Sequence, residues 1–214
     1  ILKAINIEPD LPEAHYNLSN ILYDQGKLKD AELSIRKAIA LKPDYPEAIA
    51  NLGLIYDDLD KTKEAELLLR KSIKLKPDFA ESYSNLGNIL RSLGNLQEAE
   101  DLLRQAIVLK PDFTYAYYNL GSILKDIGRF KEAETVFLKS IELDPNLIKP
   151  YYSLSTLNTS KVTDTFYNYL FAADILRNRN VKEKIDIYFA RSNVLHKKKR
   201  YKESAKCLQE ANRL

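Results

Sequence analysis

Pro9, Pro43, Pro77, Pro111 and Pro145 stand 34 residues apart, and other residue types keep the same step. Asn17-Leu18, Asn51-Leu52, Asn85-Leu86 and Asn119-Leu120 recur on it, as do Ala31, Ala65, Ala99 and Ala133. A fixed step held by several residue types over most of a 214-residue chain means one structural unit used repeatedly. A unit of this size cannot bury an apolar face alone, so neighbouring units must stack to make a core. Whatever the fold, its contacts run between successive units.

Within a unit the apolar residues recur at helical spacing. Ile49, Leu52, Ile55 and Tyr56 form one stripe, and Ala65, Leu68 and Leu69 with Ser72 form a second. Between them lies the short segment Leu59-Asp60-Lys61-Thr62. The spacing predicts two antiparallel helices joined by a tight turn, closed by a proline that cannot continue the second helix. Acidic residues such as Glu64, Glu98 and Glu132 suit the positive end of that second helix. The six glycines fall on two registers of the period: 53, 87 and 121, then 26, 94 and 128. Gly53, Gly87 and Gly121, with Ser19 in the first unit, would let paired helices approach closely. Ala38, Ser72, Ala106 and Ser140 would do so on the second helices. One cysteine excludes a disulfide framework and a cysteine-based zinc site, and no apolar run is long enough to cross a membrane.

The spacing resembles the tetratricopeptide repeat, whose pattern runs large-x2-Leu-Gly-x2-Tyr, then Ala-x3-Phe, then Pro. The second unit has Ile49, Leu52, Gly53, Tyr56, Ala65, Leu69 and Pro77 at those places. The fourth has Tyr117, Leu120, Gly121, Leu124, Ala133, Phe137 and Pro145. The resemblance implies an all-α fold, a right-handed α-solenoid of helix-turn-helix repeats, with the first helices lining a concave groove. Four regular repeats occupy residues 11–145, and residues 1–10 match the end of a preceding second helix, with Ile1, Ala4 and Pro9 in register. Residues 146–214 hold a divergent fifth and sixth unit. The fifth starts with Tyr151, Leu154 and Ser155; Asn158-Thr159-Ser160-Lys161 is then expected as a loop and Thr163-Asp164 as a helix start. A long helix is expected through Phe166, Tyr169, Leu170, Ala173 and Leu176. In the last unit Arg191 stands where the repeat has Leu. The absence of polar capping helices makes a fragment of a longer protein the expected context.

Charge divides with regularity. Residues 1–145 hold 19 Lys+Arg against 24 Asp+Glu, whereas residues 146–214 hold 14 against 6. The net +3 thus combines an acidic body with a basic end.

No catalytic constellation emerges, so no enzyme activity, cofactor or metal is expected. His15 takes a packing position, His196 lies beside a basic turn, and Cys207 sits on an amphipathic helix. Asp57-Asp58 lacks the further ligands a metal needs. The candidate site is a row of amides on the first helices: Asn17, Asn51, Asn85 and Asn119, with Asn20 and Asn88 nearby in the first and third units. Asn forms helices only moderately well, so propensity does not explain the row. An amide both donates and accepts, and a series can hold successive peptide groups; equally, each Asn could bond a neighbouring helix and stabilise stacking. The row resembles the asparagine ladder of O-linked N-acetylglucosamine transferases. Tyr16, Tyr115, Tyr118 and Tyr152 are further groove candidates, the last three as an aromatic patch. Glu13, Tyr23, Asp24, Glu47, Leu54, Asp57, Glu81, Arg91, Ser122 and Lys125 flank them. Repeats that clamp a chaperone's terminal carboxylate use cations in this groove; Tyr16 and Asn85 stand where two of them are expected.

Lys197-Lys198-Lys199-Arg200 is a basic run at a turn, expected to be solvated or to contact phosphate or sulfate of an adjoining domain. The period and the acidic groove argue against nucleic acid as partner, and no membrane partner is expected. The expected partner is a protein or an extended peptide, and the expected location is the cytoplasm. The last residues, from Ile187 to Leu214, are similar to the final repeat of bacterial tetratricopeptide proteins that continue into a sulfotransferase domain. That resemblance implies an alternative: a non-catalytic recognition arm whose catalytic domain follows residue 214.

Overall fold

The structure is a computed structural model and describes residues 10–157 and 164–214. The expectations for Ile1, Ala4 and Pro9, for the loop at 158–161 and for Thr163 lie outside the described residues. Two compact units divide between Lys110 and Pro111.

In the first unit, α1 (Pro12–Asp24) pairs with α2 (Leu28–Leu41), α3 (Pro46–Asp58) with α4 (Thr62–Leu75), and α5 (Ala80–Ser92) with α6 (Leu96–Leu109). Pro12 and Pro46 open α1 and α3 at the first helical turn, where a missing N–H costs nothing. Each second helix is acidic in its first turn, with Asp30, Glu64 and Glu98 against the positive helix end. The turns inside the pairs share one position: Gly26 (φ 72°), Asp60 (φ 59°) and Gly94 (φ 82°) all lie in the left-handed region. Glycine is cheap there, and Asp is among the few other residues that tolerate it.

The core runs along the stacked pairs. Ala31, Ile35, Ala48, Leu52 and Ile55 are buried in one cluster, with Tyr16, Tyr23 and Leu68 packed against it. Small residues set the helix spacing. A Cβ on Gly53 would lie 3.1 Å from Leu69 Cγ, and one on Gly87 2.9 Å from Leu103 Cγ. In the first repeat Ser19 takes the glycine's place, and its hydroxyl donates to the Ala31 carbonyl at 2.9 Å. Ser72, on α4, donates to the Pro46 carbonyl at 2.8 Å, which lets α4 lie against the start of α3.

The second unit begins regularly, with α7 (Thr114–Asp126) packed on α8 (Phe130–Leu143). Gly121 faces Phe137, whose ring would lie 2.6 Å from an added Cβ. Next come α9 (Lys149–Thr156), α10 (Asp164–Phe171), α11 (Val181–Lys197) and α12 (Tyr201–Arg213). Asn180 and Glu183 form a reciprocal capping box at the start of α11.

The expected long helix after Asp164 is not what forms: α10 spans eight residues and gives way to turns. The apolar stripe through Ala173 and Leu176 did predict a continuation. Instead, Arg191 donates from Nε to the Leu170 carbonyl at 3.0 Å and from Nη2 to the Ala172 carbonyl at 3.3 Å. These are the carbonyls that a continuing helix would have used. The guanidinium also sits 5.3 Å from the centre of the Phe171 ring, and burial lowers its pKa. Arg191, the departure from the repeat pattern, therefore caps the C-terminal end of α10. Beyond it, Arg179 holds the turn segment to Asn146, donating to its backbone and side-chain oxygens at 2.9 Å each.

Candidate functional site

The first helices α1, α3 and α5 carry the amide row of the first unit. Asn51 Nδ2 donates to Asn20 Oδ1 at 2.8 Å, which joins α3 to α1. Two members of the row therefore meet, and the bond still leaves a donor hydrogen and acceptor lone pairs on each amide. Asn17 and Asn88 are exposed, and Asn85 is half-buried. In the second unit Asn119 is half-buried on α7.

Around the Asn20–Asn51 bond lies a cleft of about 210 Å³, lined by Ser19, Asn20, Tyr23, Asp24, Asn51, Leu54 and Ile55. Tyr23 closes one side, and its hydroxyl donates to Asp58 Oδ2 at 2.5 Å. Burial and the neighbouring carboxylates raise the Tyr23 pKa well above that of a free phenol, so the phenol stays a donor. Asp57 is also shifted upward, chiefly by burial, with Asp58 and Asp60 adding to it. Two residues of the amide row and three of those expected to flank it come together here: Asn20 and Asn51 bridge the cleft, and Tyr23, Asp24 and Leu54 line it.

Tyr16 does not reach this cleft's lining; its ring packs 5.2 Å from that of Tyr45. In the second unit Tyr118 packs 6.1 Å from the Phe137 ring. Tyr115 and Tyr152 are 51% and 42% exposed, and Tyr115 borders a cleft with Asp144, Asn146, Lys149, Glu183 and Asp186. Tyr118 is thus tied to its own helix pair, while the other two rings remain available at the surface.

An ion-pair series escaped the sequence reading. Glu47 in the first turn of α3 meets Lys76 at 2.7 Å, and Glu81 in the first turn of α5 meets Lys110 at 2.8 Å. Glu13 and Lys42 stand 3.7 Å apart at the corresponding place on α1. Lys42 and Lys76 also lie over the rings of Tyr45 and Phe79, at 4.5 and 5.0 Å. The signal was present, since both charges recur every 34 residues, but they are 29 residues apart in sequence and face each other only once the pairs stack. In the fourth repeat Tyr115 and Asp144 occupy these two positions, so the series stops.

The basic run turns between α11 and α12, with Lys199 at φ 58°. Much of it is engaged by the fold. Lys197 donates to the Leu157 carbonyl, Lys198 lies 4.4 Å from the centre of the Tyr167 ring, and Arg200 donates to the Tyr167 hydroxyl at 2.7 Å. His15 is buried, as its packing position requires, and Cys207 is half-buried with its thiol pKa raised by burial. No helix among the described residues is long and apolar enough to cross a membrane.

The comparisons agree with this architecture. A family model described as TPR repeat matches residues 19–60 and 87–128, and two described as tetratricopeptide repeat match 46–79, 114–147 and 185–214, and 68–101. Together they cover well over half of the chain, which belongs to the tetratricopeptide-repeat family and has its all-α solenoid fold. No curated protein matches the sequence. Among solved structures, PilF of Pseudomonas aeruginosa aligns with a TM-score of 0.73 at 19% identity, over 94% of this chain and 90% of its own. YrrB, described as a TPR protein with an unusual peptide-binding site, aligns at 0.58 and 24% identity, over 92% and 97%. The first TPR of Spaghetti (RPAP3), bound to the HSP90 peptide SRMEEVD, aligns at 0.52 and 23% identity, over 54% and 92%.

Proposed function

We propose that the chain is a non-enzymatic protein-interaction module that binds an extended peptide, or an extended segment of a partner protein, along its first-helix face. The observation that carries this is the cleft between α1 and α3, where the bonded amides of Asn20 and Asn51 keep hydrogen-bonding capacity beside apolar walls. An extended peptide has unpaired backbone N–H and C=O groups along its whole length, and amides satisfy both kinds. Two structural neighbours described with peptide sites, YrrB and the RPAP3 repeat, support the same reading.

The test is recovery of a partner on the immobilised chain, wild type against an Asn51→Ala/Asn85→Ala variant that keeps its helical circular dichroism. Strongly reduced recovery with the variant is expected; equal recovery would leave the amides with a stacking role alone. The recognition-arm alternative assigns this groove to a sulfotransferase whose catalytic domain follows residue 214. It rests on the resemblance of residues 187–214, and the coding sequence downstream decides it.

A further inference from the structure

The cleft between α1 and α3 also has a chemistry that specifies what enters it; this inference rests on the groove reading above. Sites for drug-sized ligands span about 300–1,000 Å³, and a water's share of liquid volume is about 30 Å³. At about 210 Å³ the cleft suits one long side chain of a bound segment better than a cofactor. Tyr23, Leu54 and Ile55 offer apolar surface to a methylene stem, and Asn20 and Asn51 lie beside it.

The opening is negative for two reasons that add. Asp24 is the last residue of α1, and Asp57 and Asp58 are the last two of α3. Neither helix has a basic residue in its last turn. A helix C-terminus already carries partial negative charge, so carboxylates there reinforce its field. The 2.5 Å bond from Tyr23 to Asp58 brings these two helix ends together at the cleft. Glu13 and Glu47, at the opposite ends of the same helices, already face Lys42 and Lys76. Asp24 is exposed, lines the cleft, and has no ion-pair partner among the described residues. The third first helix differs, because α5 has Arg91 in its last turn. Uncompensated negative charge therefore coincides with the cleft and stops at the next repeat.

We infer that this cleft receives a lysine or arginine side chain from an extended segment of another protein. The stem lies along Tyr23 and Leu54, the cationic head meets Asp24, and the adjoining peptide group bonds the Asn51 amide. Acidic segments, such as the HSP90 peptide held by the RPAP3 repeat, are repelled at the same opening.

Random peptides displayed on phage and selected on the whole chain test this directly. Wild type should enrich basic peptides. The best of them, synthesised with a fluorophore, should lose about tenfold in affinity when its key lysine becomes norleucine, the scale of one charge-assisted hydrogen bond. Asp24→Asn should cause a similar loss, and the two changes together should cost little more than either alone. The melting curve of Asp24→Asn checks that the fold is intact. Enrichment of acidic or purely apolar peptides, or an Asp24→Asn variant of unchanged affinity, would overturn the inference. The groove reading would survive that result if Asn51→Ala still abolished binding. Failure to select any peptide would overturn both. Self-association that disappears in Asp24→Asn would assign the cleft to a second copy and overturn the separate-protein occupant.

Discussion

Gly53, Gly87 and Gly121 hold the same repeat position, yet their surroundings tighten along the chain. An added Cβ would stand 3.1 Å from Leu69, 2.9 Å from Leu103 and 2.6 Å from the Phe137 ring. Alanine gains about 1 kcal/mol of helix propensity over glycine, whereas overpacking costs about 1–3 kcal/mol. Gly53→Ala is therefore expected to leave the denaturation midpoint nearly unchanged, because Leu69 needs only a small shift. Gly121→Ala should lower it clearly, because a ring held in the core cannot retreat. A second residue-scale effect is electrostatic. Burial pushes the Glu47 carboxyl up, but the hydrogen bond and charge of Lys76, helped by the Glu47 backbone, pull it below its ordinary value. A depressed carboxylate contributes stability that is present above its unfolded pKa and lost as pH falls through the folded one. At this half-exposed pair, Glu47→Gln should cost at most about 1 kcal/mol at neutral pH. Its unfolding curve should converge on wild type once the pH drops below the ordinary carboxylate range. The small residues and both charges were plain in the sequence; how closely each is packed was not, because the partner atoms come from another helix.

Among the elements, α10 shows where pattern reading fails and why. The stripe through Leu170, Ala173 and Leu176 favours a continuing helix, but the tertiary bonds of Arg191 take its carbonyls. Arg191→Leu restores the residue usual for the repeat and should nevertheless destabilise the protein. Loss of a charged group's hydrogen bonds costs about 1.5–3 kcal/mol, and the freed carbonyls are left without that partner. Chemical denaturation measures the difference; a stabilised variant would mean that the guanidinium only fills space. The regular helices were legible because each turn carries its own signal: proline at the start of α1 and α3, an acid at the start of each second helix, and Gly26 and Gly94 in left-handed turns. Asp60 and Lys199 occupy the same kind of turn without glycine, so their residue type alone announces it less clearly.

At the scale of the whole molecule, stability in a repeat array is close to a sum of local units and their nearest-neighbour contacts. Damage should stay near its origin. Hydrogen exchange of the Arg191→Leu variant should accelerate in α10, α11 and α12 and leave α3 and α4 at wild-type protection. Uniform acceleration along the chain would instead show a single cooperative unit. The segregation of charge works at this scale too. Total charge is only +3, but in the first unit Asp24 lines the cleft and Asp57 and Asp58 end α3, while residues 197–200 are all basic.

By itself the sequence determined the repeat, its helix pairs, the family and the row of amides, because these follow from period, spacing and turn chemistry along the chain. Only the tertiary structure decided that Asn51 bonds Asn20, that Glu47 and Glu81 reach lysines 29 residues away, that Arg191 caps the end of α10, and that Tyr23, Asp24 and Leu54 enclose one cleft. Those outcomes depend on which side chains stacking brings face to face. Periodicity places a residue on a side of its helix but does not supply the atoms across from it.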